Sequence, residues 1–251
     1  MRWKALVLAG SRGPDDPVAS AAGVAEKALA PIGGRAMIAY VLDALTGSAQ
    51  VAETTVAINI DLDAVPEASG VATTKTAETP ATSVLEGFDR LSAPLVVTTG
   101  DAPFLTSEML DRFLVLAGET GADAVAAIAP KTVVEAAGNP GKRTYLKFRD
   151  GAFSGCNLFA FPTSEGRAAI SFWRKMEAER KRPWRMAREI GLGTLVLYLA
   201  RSLSTTGLAA RLGKRAGCRV AFVQLNDPLA AHDVDKPADL AFARKVLETS
   251  G

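Results

Sequence analysis

The stretch Pro94-Leu95-Val96-Val97-Thr98-Thr99-Gly100-Asp101-Ala102-Pro103 decides the fold class of this chain. Its first six residues form an apolar, strand-like run, as expected for a parallel strand that helices cover on both faces. A carboxylate follows at once, at the end of the strand where α/β sheets bind their ligands. We therefore predict a buried central strand with Asp101 at the edge of a ligand crevice.

The rest of the chain alternates between strand and helix patterns. Apolar runs predict further strands, at residues 3–8, 54–60, 123–128 and 219–225. Helical spacing and capping residues predict helices, at residues 35–45, 82–91, 106–117 and 237–247. A long loop is predicted over residues 9–27, with a turn at Pro31-Ile32-Gly33-Gly34. This alternation indicates an α/β fold with a mostly parallel sheet and helices on both faces.

The second half of the chain has a different character. Two strands are predicted at residues 143–148 and 156–161 around the Asp150-Gly151 turn, followed by a helix at 164–182 and one or two more at 192–212, broken near residues 204–207. We predict a single domain over residues 1–251 that carries a basic and amphipathic helical insertion at about 164–215. The insertion holds a basic cluster, made of Arg174, Lys175, Arg180, Lys181, Arg182, Arg185 and Arg188. A lid, a dimer surface, a face for anionic lipid and a solvated helix packed on the core all remain open for it.

Composition excludes several classes of function. Hydrophobic residues make up 48% of the 251 residues and charged residues 22%, which is ordinary for a globular protein, and a net charge of +2 does not favour nucleic acid as a partner. The chain shows neither a leader pattern nor an apolar run long enough to span a membrane, so we predict a cytoplasmic protein. Cys156 and Cys218 lie in apolar stretches and are interpreted as reduced core residues. His232 is the single histidine, which disfavours a Ser-His-Asp site or a zinc site of several histidines.

A glycine-containing loop follows the first predicted strand. It reads Leu8-Ala9-Gly10-Ser11-Arg12-Gly13, and its glycines allow backbone amides to approach a phosphate closely. The loop is not a dinucleotide fingerprint, because the third glycine and an immediate helix are missing. A plain turn between strand and helix remains the alternative.

Three further elements carry charge that suits phosphate and metal chemistry. Lys27, in Glu26-Lys27-Ala28-Leu29, can neutralise phosphate charge beside a glycine loop. Asp101 at a strand end suits Mg²⁺, which prefers a few carboxylates together with phosphate oxygens and water. Asp233 and Asp235 alternate along an extended segment, and we predict that they point to opposite sides. We favour Asp235 as the second metal ligand, with Asp233 next; a surface lysine, a helix cap and a loop-holding aspartate are the plain alternatives.

In this order, these pieces resemble the nucleotidyltransferase superfamily, and within it the MobA-like, molybdenum-cofactor guanylyltransferase-like NTP transferases. The first motif of that family is matched by Leu8-Ala9-Gly10-Ser11-Arg12-Gly13, and its later lysine element by Lys27-Ala28-Leu29. Its metal aspartate motif is matched by Gly100-Asp101-Ala102-Pro103-Phe104-Leu105, and its last motif by Asp233-Val234-Asp235-Lys236-Pro237-Ala238-Asp239-Leu240. The resemblance spans residues of about 3–128 and 219–248.

The resemblance implies a three-layer αβα Rossmannoid, GT-A-like fold with a mixed, mostly parallel sheet. It also implies that the base and ribose of a nucleotide contact the first loop and Thr79-Pro80-Ala81-Thr82-Ser83. Asp101 and Asp235 are implied to hold Mg²⁺ at the phosphates, with Mn²⁺ as a substitute. Lys27 would stabilise charge on the α-phosphate. Residues expected at the acceptor are Gly155, Asn157 and Lys236.

The expected activity is Mg²⁺-dependent transfer of a nucleoside monophosphate from a triphosphate, with GTP or CTP favoured, to a phosphorylated small-molecule or lipid-like acceptor. Ser11 stands where the family has a glycine, and the segment 14–26 is longer than usual, so a catalytically silent nucleotide-binding regulator remains an alternative. A GT-A glycosyltransferase using a nucleotide-sugar is another, although Ala102-Pro103 after Asp101 departs from its Asp-x-Asp motif. We expect a monomer or a homodimer, with peripheral contact to anionic membrane as an open possibility.

Overall fold

The computed structural model describes residues 2–10, 15–138 and 143–249. Its strands are β1 (Trp3–Leu8), β2 (Pro31–Ile32), β3 (Arg35–Ala36), β4 (Val51–Ala57), β5 (Ala72–Thr74), β6 (Leu95–Thr99), β7 (Ala124–Pro130), β8 (Leu146–Phe148), β9 (Gly151–Phe161) and β10 (Val220–Gln224). Its helices are α1 (Pro17–Ala22), α2 (Met37–Gly47), α3 (Pro80–Leu91), α4 (Ser107–Glu119), α5 (Lys131–Glu135), α6 (Gly166–Ala178), α7 (Pro183–Ile190), α8 (Leu192–Leu199), α9 (Thr205–Ala216) and α10 (Pro237–Thr249). Short 3-10 turns occur at Lys27–Leu29 and Pro66–Ala68.

One mixed sheet forms the centre of the molecule, in the order β10-β7-β9-β6-β1-β4-β5. Its neighbours are parallel except at β9, which runs antiparallel to both β6 and β7 and also pairs with β8. The predicted central strand is β6, which lies between β1 and β9. The prediction of a mixed, mostly parallel sheet is therefore confirmed.

Successive residues of the central strands enter two different cores, one on each face of the sheet. Val7 of β1 joins a cluster that includes Leu42 of α2 and Phe113 of α4. Leu6, its neighbour in the chain, joins a second cluster with Val84 of α3 and Ile170 of α6. Because strand side chains alternate in direction, this arrangement produces helix, sheet and helix layers. The expected three-layer αβα fold is confirmed.

The segment predicted as a long loop over residues 9–27 contains a helix, so that prediction was wrong. Asp16 begins α1: its Oδ1 accepts hydrogen bonds from the amides of Val18 at 2.9 Å and Ala19 at 3.2 Å, and Pro17 follows at the first position. An Asp-Pro pair is a strong helix start signal, and the glycines and prolines around it obscured it.

Several predicted boundaries move in the structure. The helix expected from residue 35 begins at Met37, because Arg35–Ala36 pairs with Pro31–Ile32 in a two-stranded ribbon. The strand expected at 54–60 is β4, which runs earlier, over Val51–Ala57, because it pairs in register with β1. The hairpin strand expected from residue 156 begins at Gly151, directly after the turn. The helix α5 was not predicted.

The segment 164–215 contains four helices instead of the two or three predicted. The expected helix at 164–182 ends at Ala178, and the expected stretch 192–212 is divided into α8 and α9, with Leu203 buried between them. Both α6 and α9 pack on the rest of the molecule, through buried Ile170 and Ala209. Cys156 is buried and Cys218 is half-buried, and both are free thiols. Among the described residues, no helix combines the length and apolar character needed to cross a membrane.

Candidate active site

Lys27 lies between two carboxylates that come from distant parts of the chain. Its Nζ donates hydrogen bonds to Asp101 Oδ2 and, at 3.0 Å, to Asp235 Oδ1. Lys27 begins a 3-10 turn, Asp101 follows β6 and Asp235 precedes α10, so three separate segments supply the cluster. The structure thus brings together three of the residues singled out in the sequence.

The charges of this cluster reinforce one another. Burial alone would lower the pKa of Lys27, but Asp101 and Asp235 outweigh it, so the pKa of Lys27 is raised above its ordinary value. Burial would raise the pKa of Asp235, and Lys27 outweighs that effect and lowers it. Lys27 is therefore cationic and Asp235 anionic over the whole physiological pH range.

Asp233 is held by partners other than Lys27, but it does not point to the opposite side from Asp235. Both carboxylates line one polar cavity and interact with each other. The prediction of opposite sides was wrong, because side chains two residues apart on an extended segment lie on the same side. Arg143 donates to its Oδ1 and, at 2.7 Å, to its backbone carbonyl, while Asn157 Nδ2 donates to Oδ2 at 2.8 Å. Burial, followed by the neighbouring charge of Asp235, raises the pKa of Asp233, although Arg143 opposes this. Asp233 and Asp235 thus have different partners, with Asp233 tying the segment before α10 to Arg143 and to β9.

Asn157 reaches Asp233 through an irregularity in β9. The register between β7 and β9 shifts between Ala126 and Ile128, and Asn157 adopts a left-handed backbone conformation with φ of 48°. Asparagine tolerates this conformation better than most residues. The irregularity aims the Asn157 amide at the carboxylate, and Gly155 lies beside it, paired with Ile128.

The start of α10 is capped by Asp239 rather than by Asp233 or Asp235. Its Oδ2 accepts from the amides of Lys236 at 3.0 Å and Asp235 at 3.3 Å. Asp239 therefore fixes the backbone that presents Asp235 to Lys27. Since an aspartate in the first turn of a helix is common, the sequence alone did not distinguish this role.

A cavity of about 140 Å³ lies where the first loop meets the start of α3. Its lining consists of Leu8, Gly10, Thr76, Ala77, Glu78, Pro80 and Ser83. A side chain at Gly10 would place Cβ 2.7 Å from Thr76 Cγ2, so the close approach of these segments requires glycine. Ala9 is buried beside it. Three residues predicted for this loop, Ser11, Arg12 and Gly13, lie outside the described residues.

The three polar residues predicted at the start of α3 differ in their placement. Ser83 lines the cavity and its hydroxyl accepts from the amide of Ala77 at 2.8 Å. Thr79 caps the helix, accepting from the amide of Thr82 at 3.3 Å, and their hydroxyls are 3.0 Å apart. Thr79 and Thr82 shape the helix start and do not line the cavity.

A second, polar cavity of about 230 Å³ adjoins Asp235. Its lining consists of Arg143, Thr144, Ser154, Gly155, Ala231, Asp233, Asp235, Lys236 and Asp239. Two residues predicted at the acceptor, Gly155 and Lys236, belong to it, whereas Asn157 lies behind Asp233. Arg143, Thr144 and Ser154 were missed, because isolated residues at strand ends carry no spacing signal. The single histidine, His232, is buried near this region, and burial lowers its pKa.

The donor set around Lys27 fits a magnesium ion held jointly with a substrate. Asp101 and Asp235 offer carboxylate oxygens to one position, and Mg²⁺ is usually bound through one or two carboxylates plus phosphate oxygens. In the described part of the chain, no group of three or more acidic, histidine or cysteine side chains is arranged to hold a metal by itself. A metal at this cluster would therefore depend on oxygens from the nucleotide.

The model of the MobA-like NTP transferase domain family matches residues 5–220 of the chain. The chain belongs to the MobA-like NTP transferase domain family. The resemblance to this family is thereby confirmed over residues 5–220, and the chain is a nucleotidyltransferase. The motif at residues 233–240 lies beyond the matched residues and stays a prediction. No curated protein sequence is significantly similar to it.

Solved structures place this family member among proteins of the same fold. A hypothetical transferase from Thermus thermophilus is 33% identical, with a TM-score of 0.82 over 96% of this chain and 100% of that chain. A CMP:2-keto-3-deoxy-manno-octonic acid synthetase complexed with CTP is 17% identical, with a TM-score of 0.60 and full coverage of both chains, 100% each. A 2-C-methyl-D-erythritol 4-phosphate cytidylyltransferase, also from Thermus thermophilus, is 18% identical, with a TM-score of 0.55 over 98% of each chain. The last two proteins share the fold of this chain.

Proposed function

We propose that this nucleotidyltransferase moves a nucleoside monophosphate from a triphosphate to a phosphorylated small-molecule acceptor, with Mg²⁺ bound and pyrophosphate released. The observation that carries the proposal is Lys27, fixed between Asp101 and Asp235, with one cavity at the first loop and a second beside Asp235. We assign the cavity at Gly10 to the nucleotide and the cavity at Lys236 to the acceptor.

The reaction needs no protein nucleophile. A phosphate oxygen of the acceptor attacks the α-phosphorus, the bond from that phosphorus to the bridging oxygen breaks, and pyrophosphate leaves with the electron pair. Catalysis of this kind depends on holding both phosphates in line and on neutralising the charge that builds up between them. Lys27 supplies a permanent positive charge at the α-phosphate, because its pKa is raised.

Asp101 and Asp235 would hold Mg²⁺, with Asp233 as a further candidate and Mn²⁺ as a possible substitute. When bound, the ion supplies further positive charge to the phosphate oxygens. A bound ion would share the carboxylates of Asp101 and Asp235 with Lys27, whose ammonium group would then be available to the phosphates of the nucleotide. The raised pKa of Lys27 keeps its proton on Nζ while the lysine lies between the two carboxylates.

The acceptor cavity carries basic groups that suit a phosphate. Lys236 is exposed at its rim, and Arg143 lies inside it, bound to Asp233. The hydroxyls of Thr144 and Ser154 line the same space and can orient a polar acceptor. Asp233, Asp235 and Asp239 also line this space, and Arg143 is paired with Asp233 and Asp239, so an acceptor phosphate would lie at Lys236 with its alcohol or sugar part at the hydroxyls.

CTP and GTP are the favoured donors. The motif resemblance to guanylyltransferase-like proteins supports GTP. The names of two proteins that share the fold, one complexed with CTP and the other a cytidylyltransferase, support CTP. The side chains of Thr76, Glu78 and Ser83 line the nucleotide cavity and offer polar groups to either base.

Mass spectrometry of reaction mixtures tests the proposal. Each of the four nucleoside triphosphates is incubated with Mg²⁺ and a pool of phosphorylated alcohols and sugars. We expect one acceptor to gain the mass of one nucleoside monophosphate, with one base strongly preferred. Sugar transfer from a nucleotide-sugar would instead indicate a glycosyltransferase, and tight nucleotide binding without any adduct would indicate a binding-only protein.

A further inference from the structure

An exposed apolar surface on α7 and α8 has no function in the proposed reaction. Most of the large apolar side chains that are exposed within residues 2–10, 15–138 and 143–249 lie here: Trp184, Leu192, Leu195, Val196 and Leu199. Trp184, Leu192, Val196 and Leu199 are each more than 60% exposed. We call these five residues the α7–α8 surface. The four residues of α8 recur at i, i+3, i+4 and i+7 and so share one face of the helix, and several exposed apolar side chains on one face indicate an interaction site.

Positive charge is concentrated around the α7–α8 surface. Residues 174–201 contain eight basic and three acidic side chains, although the chain as a whole is nearly balanced, with 29 basic and 27 acidic residues. Two of the basic side chains are paired with acidic neighbours, Lys175 with Glu189 at 2.7 Å and Arg185 with Glu179 at 3.5 Å. The side chains of Arg180, Lys181, Arg182, Arg188 and Arg201 are exposed and form no ion pair with a described residue.

From these observations, we infer that the α7–α8 surface docks on an anionic lipid bilayer. Helices that lie in the membrane interface combine apolar side chains, often with tryptophan, and a surrounding set of lysines and arginines. Trp184 fits this role, since its ring lies 5.0 Å from the guanidinium of Arg185 and remains exposed. The apolar residues would enter the headgroup region, and the basic residues would contact lipid phosphates.

Charge argues against a second copy of the chain as the partner. A symmetric dimer formed through the α7–α8 surface would place two identical basic clusters against each other. Like charges brought together at an interface disfavour association. An anionic bilayer attracts the same residues and offers an apolar layer beneath the charge.

The docking surface is connected to the acceptor cavity. The Tyr198 ring of α8 packs at 5.7 Å on Phe148 of β8, and the amide of Arg149 donates to the carbonyl of Leu203 at 2.8 Å. The hairpin of β8 and β9 also carries Ser154 and Gly155, which line that cavity. Docking would therefore bring the acceptor cavity near the bilayer and favour an acceptor carried there; this consequence rests on the proposed function, whereas the docking itself does not.

Vesicle flotation with the full chain tests the inference. We expect binding to vesicles of phosphatidylcholine mixed with phosphatidylglycerol, no binding to phosphatidylcholine alone, and weaker binding as salt screens the charges. Replacing Arg180, Lys181 and Arg182 by Gln should lower the partition coefficient on the order of a hundredfold, at roughly fivefold per charge. The matched control replaces Arg90, Arg112 and Lys245 by Gln, three exposed basic residues elsewhere, and should bind like wild type.

Tryptophan fluorescence tests the apolar part separately. Trp184 is 64% exposed, Trp3 is buried, and Trp173 is half-buried against Phe159, so docking should shift the emission to shorter wavelength mainly through Trp184. The shift should disappear in Trp184→Phe, and Trp184→Ser should bind vesicles more weakly while unfolding at the wild-type temperature.

Four results would overturn the inference. The first is a lack of binding to anionic vesicles at low salt, and the second is an equal loss of vesicle binding in the control variant. The third is vesicle binding that stays unchanged in Trp184→Ser. The fourth is a dimer in solution that Val196→Glu dissociates, together with an absence of vesicle binding. Pyrophosphate release in solution is measured in parallel. If the wild type releases no pyrophosphate, the result counts against the proposed reaction. If the wild type releases pyrophosphate but does not bind vesicles, the result counts against docking alone.

Discussion

Lys27 occupies a position in which its charge is already shared between two carboxylates before any phosphate arrives. Its side chain is 14% exposed, as is that of Asp101, while that of Asp235 is 59% exposed. The more exposed carboxylate is the one that can rearrange at lower cost when a nucleotide and metal bind. We therefore expect Asp101 to anchor the site and Asp235 to adjust.

Lys27→Met should remove most of the activity. Preorganised positive charge at a developing negative charge typically contributes about a hundredfold to a thousandfold to kcat. We expect a loss of that order in steady-state turnover, with the circular dichroism spectrum unchanged. In the same variant the pKa of Asp235 should rise, because Lys27 lowers it in the wild type.

The control for this substitution is Lys245→Met, which removes an exposed lysine of α10. It should leave kcat and the nucleotide KM as in the wild type. Wild-type turnover in a folded Lys27→Met protein would remove Lys27 from the mechanism.

At the level of elements, Asp123 ties β7 to β10 and to the segment before α6. Its carboxylate accepts from the Arg219 amide at 2.8 Å, from Arg219 Nη2 at 2.8 Å and from the Thr163 hydroxyl at 2.9 Å. The sequence predicted the strand ends but not this connection, because its partners lie 40 and 96 residues away. Contacts between distant residues leave no local pattern in a sequence.

Asp123→Ala should lower the free energy of unfolding by about 2 kcal/mol, since it removes several hydrogen bonds that a buried, charged carboxylate accepts. Urea unfolding measures the change. Asp89→Ala is the matched control: it breaks the exposed ion pair with Arg167 and should cost less than about 1 kcal/mol. Equal effects of the two substitutions would contradict the structural role of Asp123.

The contribution of Asp123 should depend on pH in acid. Hydrogen bonds from Arg219 outweigh burial and hold the pKa of Asp123 well below its ordinary value of 3.8. A carboxyl with a lowered folded-state pKa stabilises the fold above its unfolded pKa, and this contribution is lost as pH falls through the folded value. The stability difference between wild type and Asp123→Ala should thus be constant near neutrality and shrink below about pH 4.

The irregular strand β9 gives a prediction about backbone conformation. Asn157 has a φ of 48°, which glycine adopts freely and alanine does not. Both Asn157→Gly and Asn157→Ala lose the hydrogen bond to Asp233. We expect the alanine variant to be less stable than the glycine variant by about 1 kcal/mol in thermal unfolding. A more stable alanine variant would show that this conformation is not retained.

At the scale of the whole molecule, the fold and the chemical cluster could be predicted from the sequence, and the acceptor cavity only in part. Lys27, Asp101 and Asp235 sit in motifs with fixed neighbours, so a resemblance identifies them. Arg143 belongs to no such motif, and its position near Asp233 depends on the pairing of β8 with β9 in the sheet. The exposure of Trp184 was also unpredictable, because an amphipathic pattern does not reveal whether a neighbouring element covers it.

Pyrophosphate release from wild type and Asp101→Asn, with Mg²⁺, the preferred triphosphate and its acceptor, tests the central claim most directly. The account predicts release by the wild type that falls at least about a hundredfold in Asp101→Asn. The thermal unfolding temperature should be unchanged, and the exposed control Asp63→Asn should behave like the wild type. Wild-type release from a well-folded Asp101→Asn protein would contradict the account.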